Sequence, residues 1–192
     1  MIKGKKIAAI ITDTFHNTEL TDPQKALEKA GARVVVIGVE ERQKKEGVLD
    51  HVTGRLPDNM KPAFKDRQQI AMTIDEADAS EFDGLLLAGG GSPEKLRGYP
   101  KVIGFVEDIF LQKKPIAAIC HGPMIMISAG IVKGRAMTCV PSIGIDLANA
   151  GAIYADRPLV VDGNIATSRT PKDMEQFIAG ALEVFGKQEN AR

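Results

Sequence analysis

The sequence places a thiol and an imidazole side by side at Cys120 and His121, inside the stretch "IAAICHGP" from Ile116 to Pro123. Four apolar residues lead into the pair, and a glycine and a proline follow it. That order predicts a buried strand, a sharp turn and a helix start, the layout that exposes a reactive atom on a nucleophile elbow. The thiolate is the reactive form of cysteine, and an unperturbed thiol ionises near pH ~8.5. A helix start and a neighbouring imidazolium both lower that value, and both are expected here. The chemistry on offer is nucleophilic attack on an electrophilic carbon. The same residues also suit a small core thiol with an unrelated neighbour.

Two further segments end apolar runs in the same way. In "LLLAGGGSPEKLR" three glycines, Gly89, Gly90 and Gly91, follow the run and a helix is expected from Ser92–Pro93. A dinucleotide fingerprint does not fit, because Glu94 stands where its third glycine would be, and Gly-Lys-Ser/Thr of a phosphate loop is missing. Backbone N–H groups left open by glycines suit an oxyanion hole better. Glu94 falls in the first helical turn, where the dipole favours a carboxylate, and that alone accounts for it equally well. In "ITDTFHNTELTDP" His16 and Glu19 lie just past the first apolar run and can reach the same crevice. A carboxyl beside a thiol can hydrogen-bond it and tune its oxidation; a capped helix start explains the segment too. Val140 and Pro141, after "RAMTCV", are expected to line the crevice.

The elements that must hold these residues are short apolar runs alternating with helical patterns. "KIAAIIT", "ARVVVIGVE", "FDGLLLAGGG" and "PIAAIC" read as buried strands, with "RAMTCV" and "LVVDGNIATS" as later ones. "ELTDPQKALEKAG", "VIGFVEDIFLQKK" and "GPMIMISAG" read as helices. "TPKDMEQFIAGALEVFG" reads as the last helix, with Thr170 as N-cap and Pro171 at its first position. Continuously apolar strands between helices mean a mostly parallel sheet covered on both faces. The expectation is an α/β sandwich in one domain over residues 1–192, interrupted by a polar excursion at about residues 40–75. That excursion, with Pro57, Pro62 and a weak strand near "QIAMTID", reads as a surface hairpin or a lid.

Composition excludes several classes. Lys+Arg equals Asp+Glu at 25 each, which argues against a nucleic-acid binder. No apolar run approaches the ~20 residues of a membrane span. "MIKGKKIAAIITD" lacks a small-residue cleavage site and meets Asp13 early, so it reads as a first strand and not as a leader. Two cysteines, Cys120 and Cys139, make no disulfide framework and point to a reducing, cytoplasmic setting. Cys139 reads as a core thiol. The three histidines, His16, His51 and His121, show no metal-ligand spacing, so neither a metal nor a cofactor is expected.

Taken together, "AICHGP", "LLLAGGGSPEKLR", "ITDTFHNTEL" and "IATSRTP" resemble the ThiJ/PfpI superfamily, also called the Parkinsonism-associated deglycase family. Within it the chain is most similar to the branch of PfpI-type peptidases, general stress proteins and protein deglycases. The resemblance covers nearly the whole chain apart from part of residues 40–75. It implies a flavodoxin-like three-layer sandwich of the class I glutamine amidotransferase type, and a homodimer or higher assembly such as a hexamer. It implies Cys120 as nucleophile, His121 beside it, Glu19 hydrogen-bonded to the cysteine, and Glu94 reaching His121 from a neighbouring subunit. Gly90, with Gly91 next to it, matches the oxyanion-hole glycine, and the His121 amide would be the other donor. Two departures touch the pocket wall: "FHN" stands where relatives carry Phe-Glu-Asp, and Val140 where many carry tyrosine. The glutaminase cousins need a late His-x-Glu pair, and "TSRTPKD" lacks it.

The activity so implied is a cysteine-dependent hydrolase of the deglycase or glyoxalase type, acting on methylglyoxal or glyoxal adducts in stress protection. The alternatives are an intracellular cysteine peptidase and a redox-sensing stress protein or chaperone that turns nothing over. The partners expected are a small carbonyl compound, or a glycated or peptide substrate, with no nucleic acid and no membrane.

Overall fold

The computed structural model describes residues 1–49 and 67–187. In chain order the elements begin with β1 (Lys6–Ile10), α1 (Asn17–Lys29), β2 (Arg33–Gly38), α2 (Arg42–Glu46) and β3 (Val48–Leu49). They continue with β4 (Arg67–Gln68), β5 (Met72–Thr73), β6 (Gly84–Leu87), α3 (Ser92–Leu96), α4 (Pro100–Leu111) and β7 (Ile116–Ile119). Next come α5 (Pro123–Ser128), β8 (Ala136–Met137), α6 (Gly144–Asn149), β9 (Ile153–Tyr154), β10 (Leu159–Asp162), β11 (Ile165–Ser168) and α7 (Met174–Gly186).

The central sheet has the order β10-β11-β7-β6-β1-β2-β5. Every neighbouring pair is parallel except β10 with β11, which makes an antiparallel edge. Its strands are apolar at nearly every position because each face meets its own core. Ala8, Ile10, Leu85, Leu87, Ile116 and Ala118 face a layer built on Phe105, Val106 and Ile109 of α4 and on Ile125 and Met126 of α5. Ile7, Ala9, Leu86, Ala117 and Ile119 face the other layer, with Leu20 and Leu27 of α1 and Phe177 and Phe185 of α7. Burying each of the Leu, Ile, Val, Phe and Met side chains among these contributes roughly 1.5–3 kcal/mol. This is a flavodoxin-like α/β sandwich. The strand order turns back between β1 and β6, and the carboxyl ends of β1, β6 and β7 open there, where such sheets hold their ligands.

Several elements differ from the expected ones. "RAMTCV" contributes only Ala136–Met137, and β8 pairs with β9 in a separate two-stranded parallel sheet. "LVVDGNIATS" folds back on itself as β10 and β11. The last helix begins with a 3-10 turn at Pro171–Asp173, and Thr170 makes no side-chain capping bond. In the polar excursion β3 and β4 pair as an antiparallel ribbon, and β5 joins the main sheet beside β2. Residues 50–66 of the excursion, with His51, Pro57 and Pro62, lie outside the described residues. No described helix is long and apolar enough to cross a membrane.

Candidate active site

Cys120 ends β7 in the left-handed region, at φ 61°. A non-glycine residue held there costs on the order of 1–3 kcal/mol and persists only where its surroundings over-determine it. Here they do. The Cys120 N–H donates to the Ser168 carbonyl at 3.0 Å, and its own carbonyl accepts from Val140 N–H at 3.1 Å. The next turn closes at once, with Gly122 N–H donating to the Ile119 carbonyl at 2.8 Å. Thr14, at the mouth of β1, is also strained, at φ 76°.

Four groups gather on the Cys120 sulfur. The His121 Nδ1 lies 3.3 Å away. The backbone N–H groups of Gly90 and His121 donate toward it, and the Glu19 carboxyl faces it. Glu19 sits in the first turn of α1 and is fully buried. One of its oxygens, Oε2, accepts the Gly89 N–H at 2.8 Å. The other, Oε1, has no hydrogen-bond partner among the described residues, so this carboxyl has a bonding position to spare.

Gly90 is presented by a left-handed turn at φ +79°, where an added Cβ would lie 2.5 Å from the Thr14 carbonyl. Gly91 is placed differently. Its N–H is spent on the Thr14 carbonyl at 2.8 Å, which leaves Gly90 and His121 as the amides at the sulfur.

The electrostatics run against the expectation of a lowered thiol pKa. Burial, followed by the Glu19 charge, pushes the Cys120 thiol up to about 12, while the Gly90 and His121 amides pull it down. The six-residue α5 is too short to outweigh a buried carboxylate beside the sulfur. Burial also raises Glu19 from 4.5 to about 7, against the lowering effect of its bonds to Cys120 and Gly89. A proton on Glu19 removes the repulsion and supplies an O–H to the sulfur. The reactive form is then a thiolate beside a neutral carboxylic acid.

This carboxyl links stability to pH. Its folded pKa lies above its unfolded value, so the contribution is fully present below about 4.5 and is lost as pH rises through about 7. The loss amounts to roughly 3 kcal/mol by pH 9. Glu19→Gln, which cannot ionise, is expected to abolish most of this pH-linked loss between pH 4 and pH 9. Denaturant midpoints of both proteins at the two pH values check it; equal slopes in the two proteins would refute it.

The other expected site residues are placed as follows. His16 is the N-cap of α1; its N–H donates to the Gly89 carbonyl at 3.1 Å and its Nδ1 lies 3.2 Å from Thr18 Oγ1. Val140 borders Cys120 through its backbone, and Pro141 is exposed at the start of the 3-10 turn Pro141–Ile143. Glu94 is exposed on α3 and makes no hydrogen bond or ion pair with a described residue, so the chain alone does not join it to His121. Cys139 is fully buried in the opposite core layer from Cys120. Thr14 and Ser168 were not anticipated, nor was the donation of the Gly89 N–H to Glu19. The triple glycine and the "TSR" run were visible in the sequence, but neither shows which carbonyl or amide meets the cysteine.

A cysteine elbow beside the switch point of a mostly parallel sheet, with two amides and a buried carboxyl on its sulfur, defines a cysteine-centred site in a flavodoxin-like fold. The chain belongs to the DJ-1/PfpI family, whose model matches residues 5–184. It is 43% identical over 182 residues to YraA of Bacillus subtilis, a protein named as a candidate cysteine protease, covering 95% of this chain and 99% of that one. It is 39% identical over 184 residues to protein/nucleic acid deglycase 2 of Escherichia coli, again covering 95% and 99%. Among solved structures, a two-domain protein of Anabaena variabilis with DJ-1/ThiJ/PfpI-like and ferritin-like domains superposes with a TM-score of 0.84 at 35% identity. That match covers 97% of this chain and 52% of the other.

Proposed function

We propose that this protein is a cysteine-dependent hydrolase of the deglycase or glyoxalase type, acting on methylglyoxal or its adducts. The observation that carries the reading is the convergence of the Gly90 and His121 amides and the Glu19 carboxyl on one sulfur held by a strained turn. The similarity to a protein/nucleic acid deglycase supports it.

In this reading the Cys120 sulfur adds to the aldehyde carbon, and the carbonyl oxygen takes the charge against the Gly90 and His121 amides. A proton then moves from that carbon to the neighbouring ketone carbon, with Glu19 and His121 as carriers. The aldehyde carbon reaches the thioester level while the ketone becomes an alcohol, so no external oxidant is needed. Water cleaves the thioester, lactate leaves, and the thiol returns. With an adduct the sulfur displaces the protein nitrogen, and the remaining steps are the same.

The similarity to YraA favours a second reading, a cysteine peptidase using the same nucleophile and an acyl-enzyme. Lactate release from methylglyoxal, measured beside hydrolysis of a fluorogenic peptide, separates the two. Peptide cleavage without lactate would replace the first reading by the second. Oxidation of Cys120 with neither activity would leave a redox-sensing role.

A second copy of the chain is part of the proposal, as the source of the Glu94 carboxylate that orients His121. Glu94→Gln is expected to lower turnover roughly 10-fold to 100-fold without loss of the fold. Mixing it with a Cys120→Ala chain should then restore activity, because hybrid dimers hold one intact site. No restoration in subunit-exchanged mixtures would place Glu94 outside the site.

A further inference from the structure

The two backbone bonds that hold Cys120 in its left-handed turn come from two separate segments. Ser168, at the end of β11, accepts the Cys120 N–H, and Val140, beyond β8, donates to the Cys120 carbonyl. A turn held from two sides keeps its shape only if the two sides are fixed to each other. Two side chains do this: Thr167 Oγ1 accepts the Thr138 N–H at 2.9 Å, directly between the two segments, and Arg169 braces the same segments further out. Arg169 follows Ser168 directly, and its guanidinium grips Asp173 with two bonds, Nε at 3.0 Å and Nη2 at 3.1 Å. Its Nη1 reaches Asp156 at 2.8 Å. Asp156 follows Ala155, whose N–H donates to the Met137 carbonyl at 2.9 Å and so anchors the β8 segment that leads to Val140. Ser168 is itself pinned, with its Oγ donating to the Pro158 carbonyl at 2.5 Å.

We propose that Arg169 is a positioning residue for Cys120, closing a ring from β11 through the Asp156 loop and β8 back to the elbow. Among the described residues the Arg169 guanidinium bonds Asp156 and Asp173. It acts by keeping the Ser168 carbonyl and the Val140 amide at the spacing that the strained turn needs. Without the clamp the elbow relaxes from φ 61°, and the sulfur moves off the Gly90 and His121 amides that favour its ionised form. Lysine cannot stand in, because a point charge does not reproduce a fork holding two carboxylates at once. The Asp156 side chain is 59% exposed, so its ion pair adds little to global stability, and a purely structural role would leave almost nothing to measure.

The proposal rests on Cys120 being the reactive group. The test compares wild type with Arg169→Lys and Asp156→Asn, using iodoacetamide alkylation of Cys120 from pH 5 to pH 10. Peptide masses separate Cys120 from buried Cys139, and thermal melts and turnover are recorded in parallel. The groups facing Cys120 and Arg169, namely Glu19, His121, Tyr154, Asp156 and Asp173, are otherwise intact in Arg169→Lys.

Asp156→Asn is expected to melt close to wild type, while Arg169→Lys, which also loosens the grip on buried Asp173, should melt lower. Both should alkylate roughly 10-fold to 100-fold more slowly than wild type across the pH series, with kcat reduced at nearly constant KM. Glu81→Gln, which breaks the remote Lys6–Glu81 pair, should change none of these. Unchanged alkylation profiles in both variants overturn the clamp while leaving Cys120 as nucleophile. A loss that only tracks an equal fall in melting temperature overturns it as well. If Arg169→Lys fails to fold, Asp156→Asn, changed at an exposed side chain, decides alone. An inert wild-type Cys120 overturns both this proposal and the reading on which it rests.

Discussion

Cys120→Ala is expected to cut kcat/KM for lactate release by at least ~10³-fold while the protein stays folded. The sulfur is the one atom at which the amides of Gly90 and His121 and the Glu19 carboxyl meet. Deleting it removes the bond-forming centre and leaves only binding. The cost to the fold is small, because Cys120 keeps 8% of its surface exposed and the change vacates a single atom. Removing that atom also relieves the crowding of a buried thiol against a buried carboxylate. Lactate assays and melts on purified wild type and variant settle the matter. Activity within tenfold of wild type would show that another group reacts.

Gly89→Ala is the second large effect, this time on stability. An added Cβ would lie 2.5 Å from Glu19 Oε2, 2.7 Å from the Cys120 Cβ and 3.0 Å from the His121 backbone nitrogen. The first ends a side chain that is fully buried and bonded to Gly89 itself, and the other two belong to the elbow. Gly89 itself cannot retreat, because its N–H is bonded to Glu19 and its carbonyl to His16 N–H. The methyl must therefore displace either the carboxyl or the elbow. A loss of about 3 kcal/mol follows, at the upper end for overpacking. For a chain of this size that lowers the melting temperature by roughly 6–12 °C. Alkylation of Cys120 should fall with it, since the carboxyl is pushed from the sulfur. Gly104→Ala, inside α4 with nothing within 4 Å of the new methyl, is the matched control and should melt at or above wild type. Equal melting of the two variants would mean that the Gly89 pinch is absent in solution.

Much of this site was legible in the chain. Strands buried on both faces carry apolar residues without alternation, and "KIAAIIT", "FDGLLLA" and "PIAAIC" show that pattern openly. Cys120 stands out because a strand, a thiol, a histidine and a Gly-Pro turn are neighbours in sequence. Where the signal failed, the cause was usually tertiary. "RAMTCV" has strand composition, but only Ala136 and Met137 find a partner, in β9 and outside the main sheet. Thr170 has the chemistry of a cap, yet the chain tightens into a 3-10 turn instead. Gly91 and Gly90 are adjacent and identical in type, but only the fold decides which N–H goes to Thr14 and which to the sulfur.

What the sequence determined by itself is therefore local: the elbow around Cys120, the apolar strands that support it, and the glycine turn after β6. The tertiary structure alone decided the charge at the sulfur. Glu19 and Gly89 are 70 residues apart, and only packing α1 on the sheet, on the face it shares with α7, buries that carboxyl against the thiol. Burial raises the Glu19 pKa to about 7 and reverses the shift that the helix start and the histidine had suggested for Cys120. A pKa is set by what surrounds a group in space, and spacing along the chain does not carry that information.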